Sequence, residues 1–306
     1  MGATGIVQPM TTPPAEPPFT SSAPPPASPA AVFGFDAFSP TEVAERIEVL
    51  GVAKARLPLA SMGLLAVLAG AYIGFGSLFF LLVTSDPSLP FAAARVLGGL
   101  VFSLGLLTVV VAGAELFTGN HLLAMAWADG RLRTGEVLRN WAVVCGGNAL
   151  GAGLLALVVT GADLGAMNAG RLAQQALTVA AAKAALPWDV ALLRGVLCNV
   201  LVCLAVWMAA AGRSVVDKAV AVVPPVTAFV ALGFEHSVAN FFFFPLALLL
   251  EPGAVAAAAA SGLVLPPAPS VAAVLANLGP VIAGNLVGGS VLVAGVYWVV
   301  YRRQSA

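Results

Sequence analysis

The chain has 306 residues, of which 60% are hydrophobic and only 9% are charged, and its formal net charge is zero. An average soluble domain carries roughly 25% charged residues, so this composition, with a mean hydropathy of +0.97, excludes an ordinary soluble protein. It indicates a polytopic membrane protein.

The N-terminal segment differs in composition from the rest of the chain. Residues 1–38 are rich in proline, alanine, serine and threonine, a composition that cannot bury enough apolar surface to fold. We expect a disordered cytoplasmic tail there. A signal peptide is not expected, because the first basic residue is Arg46 and a basic n-region is therefore missing.

Residues 39–56 predict a short amphipathic helix. Ser39 can cap it, Pro40 suits its first position, and Glu42 completes a capping box. Val43, Ile47 and Leu50 fall on one side of the helix, so it either lies along the inner membrane surface or packs on the first loop.

Residues 57–303 predict six membrane-spanning helices. A bilayer core of about 30 Å needs roughly 20 apolar residues per helix, and windows of that kind lie at 57–83, 94–125, 141–161, 189–211, 219–250 and 271–301. They are continuous Leu, Val, Ala and Gly runs without the alternation of barrel strands. With the N-terminus inside, only Arg95, Arg171, Lys183 and Arg194 lie outside, which by the positive-inside rule predicts two cytoplasmic termini.

Two of these windows contain the same polar skeleton. GAELFTGN begins at Gly113 and GFEHSVAN begins at Gly233, and both read Gly-x-Glu-x-x-x-small-Asn. Glycine permits non-helical backbone, which is tolerated at membrane depth only where it is buried in protein or lines a water-filled cavity. We therefore expect the second and fifth spans to be broken, although two ordinary helices with small packing residues are the alternative. The side chains expected to hydrogen-bond the freed backbone groups are Glu115, Thr118, Asn120, Glu235 and Asn240.

The shared skeleton belongs to a longer repeat. Asn140 and Asn148 in the third span are echoed by Asn277 and Asn285 in the sixth. Because each unit of the repeat has three crossings, the second copy enters the membrane from the opposite face. Such an inverted 3+3 repeat is typical of transporters and channels, whose sites lie near the midplane at paired, interrupted helices.

Five motifs in this order resemble the formate/nitrite transporter family over about residues 40–303. They are GAELFTGN, RGVLCNVLVCLAVWM from Arg194, DKA from Asp217, GFEHSVANFFFFP from Gly233 and NLGPVIAGNLVGG from Asn277. The resemblance implies an aquaporin-like fold with broken second and fifth helices, assembled as a homopentamer in the inner membrane. It implies a channel or proton-coupled transporter for small monovalent weak-acid anions, formate first, and nitrite or hydrosulfide as alternatives.

The resemblance also assigns site residues. It implies a central pore histidine at His236 and a facing threonine at Thr118. The family's pore asparagines match Asn199 and Asn285, and its motif lysine matches Lys183. The cytoplasmic narrowing falls on Leu106, Leu116 and Phe117, and the periplasmic one on Phe102 and Phe229. No cofactor, metal or nucleic acid is implied; the expected partners are the anion, protons, lipid and four further copies of the chain.

Chemistry supports a role for His236. An intramembrane ionisable residue is a functional hypothesis by default, and imidazole changes its hydrogen-bonding capacity near neutral pH. Leu and Phe constrictions reject a naked anion but pass a protonated weak acid. His121, the other histidine, lacks such a position in the repeat.

Two other classes of protein remain as alternatives. An intramembrane enzyme is not expected, because the sequence has no His-Glu-x-x-His motif and no cysteine and histidine ligand cluster. A water or polyol channel would share the expected fold, but its paired Asn-Pro-Ala elements are missing.

Overall fold

The fold was obtained as a computed structural model, which describes residues 1–2, 37–250 and 252–303. Most of the predicted tail, residues 1–38, lies outside these residues. The α-helices are α1 (Pro40–Ala55), α2 (Leu59–Thr84), α3 (Phe91–Ala112), α4 (Leu123–Ala128), α5 (Thr134–Gly161), α6 (Arg171–Ala184), α7 (Trp188–Ala211), α8 (Val215–Ala231), α9 (Ser237–Leu248), α10 (Pro252–Ala260), α11 (Val271–Leu286) and α12 (Val296–Tyr301). Short 3₁₀ helices occupy Gly119–Leu122 and Leu164–Ala166, and a π-helix, Val287–Gly295, joins α11 to α12.

Within residues 37–250 and 252–303, five helical segments are long and apolar enough to cross a membrane: α2, α3, α5, α7 and the continuous segment Val271–Tyr301. A sixth is reached if Ser237–Leu248 and Gly253–Ala260, which are bent by 76°, count as one span. The predicted windows fall, in order, on α2, α3 with α4, α5, α7, α8 with α9, and Val271–Tyr301. The fifth window, 219–250, thus covers α8 and α9, whereas the bent pair joins α9 to α10. The all-helical membrane architecture is confirmed.

The helices pack as two copies of one arrangement. In the first copy α2 contacts α3 and α5, and in the second α7 contacts α8 and α11. The copies meet where α3 packs on α8. Small residues allow these close contacts: a Cβ built on Gly195 of α7 would lie only 2.8 Å from the Val281 carbonyl oxygen of α11.

Helix α1 begins as predicted from its cap. Ser39 Oγ accepts from the Glu42 amide, and the Glu42 carboxylate accepts from the Ser39 amide at 2.7 Å. The buried side chains Val43 and Ile47 belong to a cluster with Met125 of α4. These two side chains therefore pack against protein, whereas Leu50, expected on the same face, is 48% exposed.

Candidate permeation pathway

Both predicted interruptions are present, and they are built alike. Helix α3 ends at Gly113 with φ of 81°, and α8 is followed by Gly233 with φ of 73°. Beyond each glycine the chain is not helical until Gly119 and Ser237, respectively. Left-handed backbone of this kind is open to glycine without steric cost. We call these two segments the first break and the second break.

Two asparagines hold the breaks in matching ways. Asn148 of α5 donates to the carbonyls of Glu115 and Ala66 and accepts from the Phe117 amide at 2.8 Å. Asn285 of α11 forms the same set of bonds with the carbonyls of Glu235 and Gly195 and with the Ser237 amide at 3.0 Å. The expected pore residue Asn285 is fully buried, and its side chain joins the second break to Gly195 of α7.

The two glutamates have partners other than those expected. Glu115 accepts from Lys54 Nζ at 2.6 Å and from Asn120 at 2.7 Å. The backbone amide of Glu115 itself donates to the Leu65 carbonyl. An ammonium is a stronger partner for a carboxylate than a neutral amide. Glu115 was expected to accept hydrogen bonds from freed backbone N–H groups. In the structure its carboxylate instead belongs to a cluster of side chains with Lys54 and Asn120.

The second break has the same cluster. Lys183 Nζ lies 2.9 Å from the Glu235 carboxylate, and Asn240 donates both to that carboxylate and to Asn277. Asn277 in turn donates to the Lys183 carbonyl. Lys183, expected on the outer side, is therefore paired with Glu235, and its side chain is only 15% exposed.

The breaks meet at a single polar contact. Thr118 Oγ1 lies 3.0 Å from His236 Nε2, with Thr118 fully buried and His236 3% exposed. His236 Nδ1 accepts from the Ala239 amide at 3.1 Å and so caps α9. Because Nδ1 is an acceptor, the neutral imidazole carries its proton on Nε2 and donates to the threonine hydroxyl.

Apolar side chains lie around this contact. On the side of Lys183, which we call the outer side, the rings of Phe102 and Phe229 meet edge to face at 5.8 Å, and Phe229 stacks on His236 at 5.7 Å. We call this pair the outer collar. Leu106, Leu116 and Phe117, which we call the inner collar, are buried in the same apolar core.

A cavity of about 180 Å³ reaches the site from the outer side. It contacts the outer collar and His236, and its lining includes three cations, Arg95, Lys183 and Arg194. Arg95 donates to the Ala231 and Val230 carbonyls at the end of α8. With Glu235 as the counter-charge, the lining is electropositive and suits an approaching anion.

The sequence reasoning did not single out Arg95, Arg194, Lys54, Asn148 or Asn277 as site residues. The internal repeat could have indicated some of them. Lys54 stands ahead of α2 as Lys183 stands ahead of α7, and the asparagines of the third span match those of the sixth. Asn199, which was expected, is fully buried and donates to the Thr118 carbonyl at 3.2 Å. Across the described ranges no group of His, Cys, Asp or Glu side chains is arranged to hold a metal ion.

Comparison with known proteins places this geometry among membrane channels. The sequence profile of the formate/nitrite transporter family matches residues 41–299. The Formate channel FocA of Escherichia coli K12 is 37% identical over 276 residues, covering 89% of this chain and 97% of that protein. A probable formate transporter of Methanothermobacter thermautotrophicus is 36% identical over 284 residues, covering 87% and 98%.

Solved structures agree with the sequence relatives. A pentameric formate channel with formate bound matches with a TM-score of 0.73 and 36% identity, over 79% of this chain and 97% of that one. An ion channel of the FNT family matches with a TM-score of 0.70 and 28% identity, over 85% and 99%. These matches confirm the predicted fold, with its inverted repeat and broken second and fifth helices.

Proposed function

The chain belongs to the formate/nitrite transporter family, and we propose that it is a channel or proton-coupled secondary transporter for small monovalent weak-acid anions. Formate is the first candidate substrate, because relatives named formate channels align over most of the chain. Nitrite, which the family name includes, is the second. The observation that carries the proposal is the buried contact between Thr118 and His236, contributed by one break each.

The collars exclude charge. Burying an ionised carboxylate in an apolar medium of ε near 4 costs on the order of tens of kcal/mol. The same burial raises the pKa of a weak acid and favours its neutral form. The solute therefore crosses the collars as the neutral acid, having taken a proton at the boundary between the outer cavity and the collar.

His236 acts in this scheme as a donor. Its Nε2–H can leave Thr118 Oγ1 and donate to a solute oxygen, while Thr118 donates its own hydroxyl proton to the same solute. If Nδ1 of His236 were protonated, its N–H group would face the Ala239 amide N–H, which donates to Nδ1 in the structure, and this hydrogen bond would be lost. Keeping the cap of α9 thus favours a neutral imidazole throughout the cycle, with the proton travelling on the solute.

The outer cavity supplies the anion. Arg95, Lys183 and Arg194 raise the local concentration of anions at the mouth, as charged clefts do. Weak binding suits conduction, because a solute that binds tightly does not leave. The pairing of Lys183 with Glu235 limits the depth of this electrostatic well.

Assembly and location follow the relatives. We assign the chain to the inner membrane as a homopentamer with both termini in the cytoplasm. The spans expose large apolar side chains suited to lipid or to a neighbouring copy, among them Leu64, Leu154 and Val158. Each protomer has its own Thr118 and His236 contact, so each protomer conducts separately.

A flux panel in proteoliposomes tests the function. Formate, nitrite, hydrosulfide, glycerol and water are offered to purified protein at two pH values, with empty liposomes as the control. The proposal expects formate flux above the control, faster at the lower pH because more of the acid is neutral, with glycerol at the background rate. Fast glycerol or water flux without formate flux would instead support a water or polyol channel.

A further inference from the structure

The second histidine of the chain is as deeply buried as the first. His121 lies in the 3₁₀ turn that follows the first break and is 0% exposed. Its ring meets Phe117 edge to face at 4.5 Å and Trp141 at 5.5 Å. Its Nδ1 lies 2.7 Å from Asn199 Nδ2. His121 therefore touches one member of the inner collar directly and is fixed from behind by α7.

The hydrogen bonds define the protonation of this imidazole. Asn199 Nδ2 also faces the carbonyls of Thr118 and Asn285, at 3.2 and 2.7 Å, so it is the amide nitrogen and donates. Its two hydrogens are shared among three close acceptors, namely the two carbonyls and His121 Nδ1, and Nδ1 accepts in the tautomer that carries its proton on Nε2. Among the residues that the structure describes, Nε2 has no hydrogen-bond partner. In that tautomer the Nε2–H group is a buried donor without an acceptor, which lowers stability.

The other copy of the repeat lacks this arrangement. The position of His121 is taken there by Phe241, that of Trp141 by Leu278, and that of Asn199 by Gly70. The helix beside it also differs, because the π-helix Val287–Gly295 replaces regular α-helix. Such π segments are rare and often lie at functional sites. The inner half of the pathway thus has a polar cluster that the shared fold does not require.

The cluster does not pass protons between the histidines. The connection from His236 to His121 runs through the Thr118 hydroxyl, the Thr118 carbonyl and the Asn199 amide. A carbonyl and an amide nitrogen accept and donate hydrogen bonds but do not relay protons. The cluster instead holds two neighbours in place: the Phe117 ring and the Thr118 peptide.

We propose that His121 is a positioning residue that determines solute size selection at the inner collar, by fixing the Phe117 ring while Asn199 fixes the Thr118 carbonyl. The inference rests on the proposed function, since it concerns the same pathway. It assigns a role to a histidine that the repeat does not mark.

Two substitutions separate the contributions of the ring and the hydrogen bond. His121→Phe keeps an aromatic ring against Phe117 but loses the bond to Asn199. His121→Asn keeps an acceptor for Asn199 but loses the ring. The measurement is the ratio of formate to acetate permeability in proteoliposomes, together with the thermal midpoint of the assembled protein.

Both variants are expected to lower the ratio of formate to acetate permeability by about tenfold. Acetate differs from formate by one methyl group, and a difference of that size is discriminated by roughly 10–200-fold only in a well-defined pocket. The His121→Phe variant is expected to keep or raise the thermal midpoint, since it removes an unpaired buried donor. A merely structural histidine would instead lose stability and leave the ratio unchanged.

A third variant tests the cluster without changing the histidine. A Cβ on Gly289 of the π-helix would lie 2.7 Å from His121 Cβ and 2.8 Å from Cys203 Sγ, and would collide with the Asn199 amide. Gly289→Ala should therefore lower the same ratio. Gly279→Ala is the matched control, because a Cβ there meets nothing within 4 Å; it should leave the ratio unchanged.

The outcomes distinguish this inference from the function on which it rests. If the wild-type protein carries no formate, the proposed function fails. If the wild type carries formate and the assembled His121 variants and Gly289→Ala all keep the wild-type ratio, the positioning role is overturned. Should both His121 variants fail to assemble, the comparison of Gly289→Ala with Gly279→Ala decides alone.

Discussion

At the scale of single residues, the two breaks meet through one polar pair of side chains. Thr118 of the first break faces His236 of the second, while their counterparts in the other copy are Val238 and Leu116. The repeat therefore duplicates the scaffold of glutamates and asparagines but not the reactive pair. One hydroxyl and one imidazole, both buried, are the groups that we propose a neutral acid meets between the collars.

Replacing the hydroxyl tests this pair. Thr118→Val keeps the side-chain shape but leaves His236 Nε2–H without an acceptor, which lowers stability by about 1–3 kcal/mol. We expect slower formate flux and a lower thermal midpoint. Thr160→Val is the control: Thr160 is also buried, and its hydroxyl has no partner within the described residues. Equal behaviour of the two variants would contradict the role of Thr118.

At the scale of elements, each break depends on one left-handed glycine. A Cβ on Gly113 would meet nothing within 4 Å, whereas a Cβ on Gly233 would lie 2.9 Å from Arg95 Nη2. Gly113→Ala should therefore lower stability by only about 1–2 kcal/mol, the cost of a left-handed non-glycine residue. Gly233→Ala should lower it more and disturb the outer cavity.

Thermal midpoints of the two alanine variants test this order. Gly146→Ala serves as the control, since this glycine is exposed within α5, a Cβ there meets nothing within 4 Å, and alanine favours a helix. If Gly113→Ala were as harmless as Gly146→Ala, the left-handed geometry would not be what forms the first break.

Helix α1 is tied to the rest of the chain through a buried carboxylate. Glu48 is 0% exposed, and its Oε2 lies 3.3 Å from Arg131 and 3.0 Å from Arg302. Burial raises the pKa of Glu48 above its usual 4.5, and this effect exceeds the opposing effect of the arginines. A raised folded-state pKa gives stability that is present at low pH and is lost as pH rises through that pKa.

The Glu48→Gln variant should remove this dependence. The wild-type thermal midpoint minus that of the variant is expected to fall as the pH rises from about 4.5 towards neutrality. Glu45→Gln, on the exposed side of the same helix, should show no such trend. A difference that is flat or rises with pH for Glu48→Gln would contradict the assignment.

At the scale of the whole molecule, the spans and their breaks could be predicted because composition and local backbone chemistry dictate them. Apolar length predicts each crossing, and Gly113 and Gly233 with the following polar skeleton predict the interruptions. Long-range pairing could not be predicted in the same way. That Glu115 binds Lys54, and that Asn199 reaches Thr118 and His121, depends on how separate helices pack. The π-helix has no local sequence signal that we recognised.

The repeat is the level at which sequence and structure inform each other best. The two copies make the same hydrogen bonds to both breaks. Each position at which the copies differ is therefore a candidate for a role beyond the fold. The departures are concentrated along the pathway: His236 and Thr118 at the centre, the phenylalanines of the collars, and His121 with the π-helix on the inner side.

The most direct test of the account is formate influx into proteoliposomes for wild-type protein and His236→Phe, with assembly checked by size-exclusion chromatography. We expect the variant to assemble and its formate flux to change by about tenfold or more, the factor that corresponds to one lost hydrogen bond of about 1.4 kcal/mol. Wild-type flux in an assembled His236→Phe protein would contradict the central role of the Thr118 and His236 contact.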